Sequence, residues 1–331
     1  MGENLTHLKN TTENLFLSPG NLFQLETCYR RKISPAKLPR YNLSYLNDCA
    51  VGICPAELIV IGADTGMGKT SMANHLAISN AANGLKTYLF SLEGHRYDVI
   101  ARWKWNVICR EYFKRPDGRD MSYQKYLMNL ISVPHEIEEI ARIEIEGLND
   151  FLHIFSRSVS LDIETLYENL AAASDAQLIV IDHLHYFNML DDKTEAENIS
   201  QIMRIIKNLT ETNNIPIVLV SHLRKKEKKR GLPDNEDFMG SSNIAKIAST
   251  CILLSSDSEN HDLVNGRYST IMRVSKSRTG VSSTLAGQVM FDTRLGIYES
   301  QYQLGRVIGG DFKELEPGEY PKWANLPTVI I

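Results

Sequence analysis

Cysteine is scarce and poorly spaced for chemistry: the five in 331 residues, Cys28, Cys49, Cys54, Cys109 and Cys251, form no Cys-x-x-Cys pair and are odd in number. That argues against a zinc site and a disulfide framework, and predicts reduced thiols. Long apolar runs are missing as well, since stretches such as Leu178 to Ile181 fall far short of the roughly 20 residues a membrane helix needs. The first residues, with Glu3 and Lys9 among Asn and Thr, show no apolar signal-peptide region. These absences predict a soluble, cytoplasmic chain without a membrane partner. An excess of positive charge is also lacking: 36 Lys+Arg stand against 40 Asp+Glu, a formal net charge of −4. Contact with a polyanion would have to come from a local concentration of basic residues.

Three segments differ in texture. Residues 1–45 carry Pro19, Gly20, Pro35, Pro39 and the cluster Arg30, Arg31, Lys32, with few apolar residues, and predict an arm holding one short helix near Asn21 to Arg31. Residues 46–300 alternate short apolar runs with helical stretches, and residues 301–331 are expected as a tail. The runs Leu58 to Ile61, Thr87 to Phe90, Phe151 to Phe155, Leu178 to Ile181, Ile215 to Val220 and Cys251 to Leu254 are nearly continuous, as strands covered on both faces are. Between them, Ile199, Ile202, Met203, Ile206 and Leu209 repeat at helical spacing over 194–212. The alternation predicts an α/β fold with a mostly parallel sheet, and the Gly-punctuated segments after Arg267 predict an antiparallel extension.

The most specific pattern is a buried strand followed by Gly62, Ala63, Asp64, Thr65, Gly66, Met67, Gly68, Lys69, Thr70 and Ser71 and then a helix. A strand, a glycine turn and a helix start aim several backbone N–H groups at one point, as a triphosphate requires. Residues Ala63 to Ser71 are therefore the expected cradle for ATP, with Lys69 reaching the outer phosphates and the Thr70 hydroxyl on Mg2+. Ala63 occupies the place where the general motif has Gly. The apolar run ending in Asp182 supplies a carboxylate for the same Mg2+. Glu93 closes a strand, Tyr88 to Leu92, expected beside the strand of the glycine loop, where a carboxylate can polarise a water molecule. An exposed strand-end acid is the plain alternative.

Arg224, Lys225, Lys226, Lys228, Lys229 and Arg230, with Glu227 among them, follow the strand that ends in His222 and lead into Gly231 and Pro233. A basic loop without aromatic residues suits tracking of a phosphate backbone better than stacking on bases. The stretch from Arg96 to Asp150 holds no readable motif, and Trp103 and Trp105 within it are expected in packing.

Ser91, Leu92 and Glu93, then Ile181 to Leu184, Ser221 to Arg224, Gly240 to Ala245, and Lys276 to Gly280 appear in that order. Over roughly residues 40 to 300 this series resembles the ATPase domain of the DnaB-like replicative helicases, a family that includes phage helicase-primases and the mitochondrial helicase Twinkle. The resemblance implies a RecA-like P-loop core, a homo-oligomeric, hexameric ring, ATP sites between subunits, single-stranded DNA in the channel, and primase or helicase-loader partners in a bacterial or virus-infected cell. It implies that Glu93 is the catalytic carboxylate, Asp182 the metal-site aspartate and His222 the γ-phosphate sensor. Lys276 and Arg278 become basic fingers acting on the neighbour's nucleotide, and DNA contacts fall on the basic loop and on Gly240, Ser241, Ser242 and Asn243. His183 and His185 flank the Asp182 position in a way that invites a metal reading, which the resemblance argues against. The rival function is a RecA/KaiC-like regulatory or assembly ATPase without unwinding.

Overall fold

A computed structural model describes residues 18–34, 37–50, 52–64, 66–95, 97–113, 123–156, 162–187, 193–224, 231–240, 242–257, 261–262, 266–279 and 284–324. It divides into two units, Met1–Leu38 and Pro39–Ile331. The described part of the first is helix α1 (Pro19–Lys32), started by Pro19 and capped by the Ser18 hydroxyl, which accepts the Asn21 N–H at 3.2 Å. Leu22 and Phe23 on it are exposed.

The second unit contains α2 (Ser44–Cys49), β1 (Leu58–Ala63), α3 (Lys69–Ala82), β2 (Thr87–Ser91), α4 (Asp98–Phe113), α5 (Tyr123–Leu127), α6 (His135–Glu146), β3 (Leu152–Ser156), α7 (Ile163–Ala172), β4 (Leu178–Asp182), α8 (Glu195–Asn213), β5 (Ile217–His222), α9 (Asn243–Ile247), β6 (Thr250–Ser256), β7 (Arg267–Ser277), β8 (Leu285–Asp292), β9 (Ile297–Ile308) and β10 (Asp311–Glu314). Among the described residues the strands form one sheet in the order β10-β9-β8-β7-β6-β1-β5-β4-β2-β3. The six strands from β6 to β3 run parallel, and β7 to β10 add antiparallel neighbours. Each apolar run identified in the sequence is one of these parallel strands.

Strand β1 shows why the runs are continuous. Ile59 and Ile61 join a core with Met72 and Leu76 of α3, while Leu58 and Val60 face Ile202, Met203 and Ile206 of α8. Both faces are covered, so no position can be polar. Helix α8 begins with a reciprocal cap between Thr194 and Glu197 and stops at Asn214, whose φ is 57°. The motif-free stretch folds into α4 to α6 around Trp105, Ile108, Cys109 and Ile137. Among the described residues no helix is long and apolar enough to cross a membrane.

Three expectations need correction. β2 does not lie beside β1: β5 and β4 stand between them, and β2 pairs with β4 and β3. The first βαβ unit skips two positions that later strands fill, a choice made by packing across the sheet rather than by local sequence. The sheet also runs past residue 300, because Tyr298, Tyr302 and Leu304 alternate into the core and carry β9 to Ile308. At the other end, Tyr41, Leu43 and Tyr45, expected in the arm, are buried in the core of the second unit.

Gly62, in the middle of the sheet, has no room for a side chain. A Cβ there would lie 2.7 Å from Phe238 and 2.8 Å from Leu223, the two residues that bridge the base of the basic loop. We expect Gly62→Ala to cost about 1–3 kcal/mol through overpacking, seen as a lower urea midpoint at unchanged m-value. An unaltered midpoint would show that the loop base yields freely.

Candidate functional site

All four inner parallel strands bring their carboxyl ends to one edge of the sheet, the usual ligand edge of an open α/β fold. Ala63 ends β1 directly opposite His222, the end of β5. Asp182 ends β4 opposite Ser91, the end of β2. The Leu92 N–H donates to the Asp182 carbonyl at 2.7 Å, which continues the β2–β4 ladder one residue past Ser91, directly before Glu93.

The loop itself is shaped by Gly66 and Gly68, with φ of 83° and 74°. A Cβ on Gly68 would also meet the Phe291 ring at 2.8 Å. Helix α3 starts at Lys69 without a side-chain cap, so its first N–H groups and the positive end of its dipole are presented to an anion. The buried Tyr298 hydroxyl donates to the Met67 carbonyl at 2.7 Å and steadies the loop from β9. The Lys69 ammonium donates to the carbonyls of Ala63 and Asp64 at 3.1 and 2.6 Å. Burial pulls its pKa down, while Glu93, Asp182 and Asp64 oppose the shift. Thr65 lies outside the described residues.

Asp182 is 1 % exposed, and neither carboxylate oxygen has a hydrogen-bond partner of normal geometry. Burial raises its pKa to about 6, with Glu93 pushing the same way and the Thr70 hydroxyl and Lys69 pulling against it. One oxygen of Glu93, Oε2, lies 3.5 Å from the Thr70 hydroxyl and 3.5 Å from His183 Nε2. A buried carboxylate without donors, beside a hydroxyl and a second carboxylate, suits a hard cation.

Three histidines surround this point. His183 Nε2 is 3.0 Å from His222 Nε2, and the His185 ring nitrogen Nε2 is 3.3 Å from the Met239 carbonyl. Burial lowers the pKa of His183 to about 3 and of His222 to about 4, and Lys69 adds to both shifts. Burial lowers the pKa of His185 as well. His183, set aside in the sequence as a metal ligand, occupies the centre of the cluster. Its only sequence signal was a polar residue directly after a buried strand-end acid.

Beyond His222 the chain enters the basic segment. The Arg224 N–H donates to Asp237 and the Met239 N–H donates to the His222 carbonyl, at 2.7 and 2.9 Å, closing the segment at its base. Arg224 is exposed; Lys225, Lys226, Lys228, Lys229, Arg230 and Ser241 lie outside the described residues. Gly240 has a φ of 86°, Ser242 precedes α9, and the Asn243 amide donates to the Ser200 hydroxyl at 2.9 Å.

Lys276 and Arg278 are not brought to the glycine loop of their own chain. Thr250 pairs with Ile59 on one side and with Ser277 on the other, whereas the loop leaves β1 after Ala63. The two ends are separated by four to five residues of strand, roughly 15 Å at about 3.3 Å per residue. The Lys276 ammonium donates to the carbonyls of Ala245, Lys246 and Ala248 at 2.6, 3.1 and 2.7 Å and closes the end of α9. The Arg278 side chain is exposed and has no partner among the described residues.

Comparison with known proteins identifies the family. The family model of the DnaB-like helicase C terminal domain matches residues 40–299. The replicative DNA helicase DnaB of Mycoplasma genitalium is 24 % identical over 217 residues, 63 % of this chain and 44 % of that protein. A probable replicative DNA helicase of Trieres chinensis is 23 % identical over 271 residues, 75 % of this chain and 54 % of that protein. The chain thus spans about half the length of these curated relatives. Among solved structures, one ATPase domain superposes with a TM-score of 0.69 at 17 % identity, covering 85 % of this chain and 98 % of that one. A DnaB-like replicative helicase, studied for its interactions with primase, gives 0.67 at 16 %, covering 89 % and 70 %. These likenesses show the RecA-like fold of DnaB-like helicases, and the match over 40–299 places the chain in the DnaB-like helicase C-terminal domain family.

Proposed function

We propose that the chain is a Mg2+-dependent ATPase of the replicative DNA helicase type, acting as a homo-oligomeric ring, with six subunits as its closed form, on single-stranded DNA. The observation that carries this reading is the meeting of Lys69, Thr70, Glu93, Asp182 and His222 at one sheet edge while Arg278 stands exposed at the other. Ala63 to Ser71 would wrap the phosphates with backbone N–H groups, and Lys69 would exchange its carbonyl partners for phosphate oxygens. Thr70 and Asp182 would hold Mg2+, which supplies charge neutralisation on the phosphates. Glu93 would orient a water molecule for attack on the outer phosphorus and take its proton as the bond to the bridging oxygen breaks. His222 would donate to the outer phosphate. A recess beside Ser71, lined by Asn74, Arg102, Trp103 and Asn106, offers the nucleoside buried polar atoms without partners, namely Asn74 Oδ1, Trp103 Nε1 and Asn106 Oδ1. DNA would lie against the segments 224–230 and 240–243, and a primase or helicase loader would dock on the ring.

Because Lys276 and Arg278 point away from their own loop, a second copy must supply the guanidinium that neutralises charge on the transferred group. Mixing Arg278→Ala with Lys69→Ala protein should restore part of the ATPase activity that each lacks, since a mixed interface combines an intact loop with an intact finger. Loss without complementation would place Arg278 in its own subunit's chemistry or outside the reaction.

Single-stranded DNA should raise the ATPase rate, and the salt dependence of DNA binding should follow the basic loop. Each Lys or Arg in contact contributes about 0.7 to the slope of log affinity against log salt, so replacing Lys228 and Lys229 with Ala should reduce it by about 1.4. An ATPase indifferent to single strands would favour the regulatory ATPase without unwinding.

Asp182 gives a third test. Its pKa is raised on folding from 3.8 to about 6; the native state therefore binds the proton more tightly, a stabilisation complete below about pH 4 and lost as pH rises through about 6. Above that, burying the anion costs about 3 kcal/mol at about 1.4 kcal/mol per unit. In EDTA without nucleotide, Asp182→Asn should melt about 5 °C higher than the parent at pH 8. The gap should close on acidification; a gap independent of pH would disprove the burial cost.

A further inference from the structure

His183 is buried between the two groups that the proposed reaction needs, and its hydrogen bonds define its proton. The His185 backbone N–H donates to His183 Nδ1 at 3.2 Å. That nitrogen is therefore an acceptor, and the neutral ring carries its one proton on Nε2. From Nε2 the proton goes to His222 Nε2 at 3.0 Å, and Glu93 Oε2 lies 3.5 Å from the same nitrogen. The partner nitrogen must then accept, which leaves the proton of His222 on Nδ1. No described residue accepts from His222 Nδ1, so that N–H is the one His222 can turn to an incoming oxyanion.

We infer that His183 is a positioning residue that sets the tautomer of His222 and holds its single N–H, given to His222, within reach of Glu93. The arrangement links sensor and base through one donor. When His222 shifts toward a phosphate, the His183 proton is left to the Glu93 carboxylate and holds it as a proton acceptor. When His222 returns, Glu93 loses that donor. The ring is braced for this task by Tyr186, whose ring lies 4.6 Å away, and by His222 at 4.3 Å, nearly perpendicular. The backbone carries the link further, since the Met239 N–H donates to the His222 carbonyl and the Met239 carbonyl faces His185, directly before Gly240. The inference rests on the hydrolytic reading of Glu93 and His222, but the tautomer itself can be measured without turnover.

The test uses the full chain labelled with 15N-histidine, free of nucleotide, near neutral pH, with the His222 signals assigned by their loss in His222→Gln. The expected result is His222 protonated on Nδ1 and His183 on Nε2; His222 protonated on Nε2 in the parent protein would overturn the proposal before any variant is made. His183→Phe keeps a ring and removes the donor, so His222 should redistribute its proton toward Nε2. ATPase kcat should fall about 100-fold, the scale of a misaligned proton-transfer group, with KM within about twofold. His183→Asn retains both a donor and an acceptor and should recover at least tenfold of that loss. Equal impairment by Phe and Asn, or an unchanged His222 tautomer in the Phe variant, would mean that His183 only fills space and would refute the inference. If the parent protein shows the expected tautomers but no ATP turnover, the hydrolytic reading fails instead.

Discussion

The register of β1 against its two neighbours decides where every candidate group can be. Ala63 lies opposite His222 on β5 and opposite Leu254 on β6, so the strand that leads into the glycine loop ends level with the strand that ends in histidine. A slip of one residue would turn the faces of β1 over, exposing Ile59 and Ile61 to the wrong layer and moving His222 away from the loop. Both faces are packed, so such a slip would push each Ile or Val into a space shaped for another residue, at about 1–3 kcal/mol for each overpacked position. The precision of the site is thus a consequence of apolar packing several residues below it.

The same sheet separates two kinds of basic group. Lys69 lies at the carboxyl edge, and Lys276 and Arg278 lie at the opposite edge through the pairing of β6 with β7. The segment between Phe238 and Ala248 connects them. It is tied at its start to His222 through Met239 and at its end to Lys276 through the last carbonyls of α9. Movement of either tie changes the seating of Gly240 to Asn243. This is a contiguous physical link between the chain's own loop and the strand end that carries Lys276, and coupling across it requires that the segment have two arrangements.

The parts of this structure written into local sequence were the buried strands, α8 and the glycine loop, since each depends on neighbouring residues alone. Ile199, Ile202, Met203 and Ile206 announce a helix because their spacing is helical, and Gly66 and Gly68 announce the loop because they stand between an apolar run and Lys69-Thr70. Strand order was not legible in the same way. Nothing in Thr87 to Ser91 tells that β4 and β5 will enter between β2 and β1, since that depends on segments 90 to 130 residues later in the chain. Likewise, Lys276 reads as a free finger until α9 is folded beside it, and His183 reads as a stray polar residue until β5 brings His222 to it. The alternation of Tyr298, Tyr302 and Leu304 was visible, and it marks β9 through a region that composition alone suggests is a tail.

Electrostatics around Lys69 explain why the cluster uses imidazoles. Lys69 pushes all three histidines toward their neutral forms, in addition to the larger effect of burial. A lysine or arginine in place of His183 or His222 would add a second cation beside Lys69 in a largely buried place, at a desolvation cost. Neutral rings instead offer directed N–H groups without that penalty. The consequence is that hydrogen-bond direction is plentiful at this edge of the sheet while positive charge is limited. On the hydrolytic reading, charge growing on a transferred phosphoryl group exceeds what Lys69 and one divalent cation neutralise, and the remaining guanidinium is Arg278, which the β6–β7 register keeps away from its own loop. On that reading, a chain built this way would hold a nucleotide by itself and be completed by a second copy, and the reason would lie in the register of two strands.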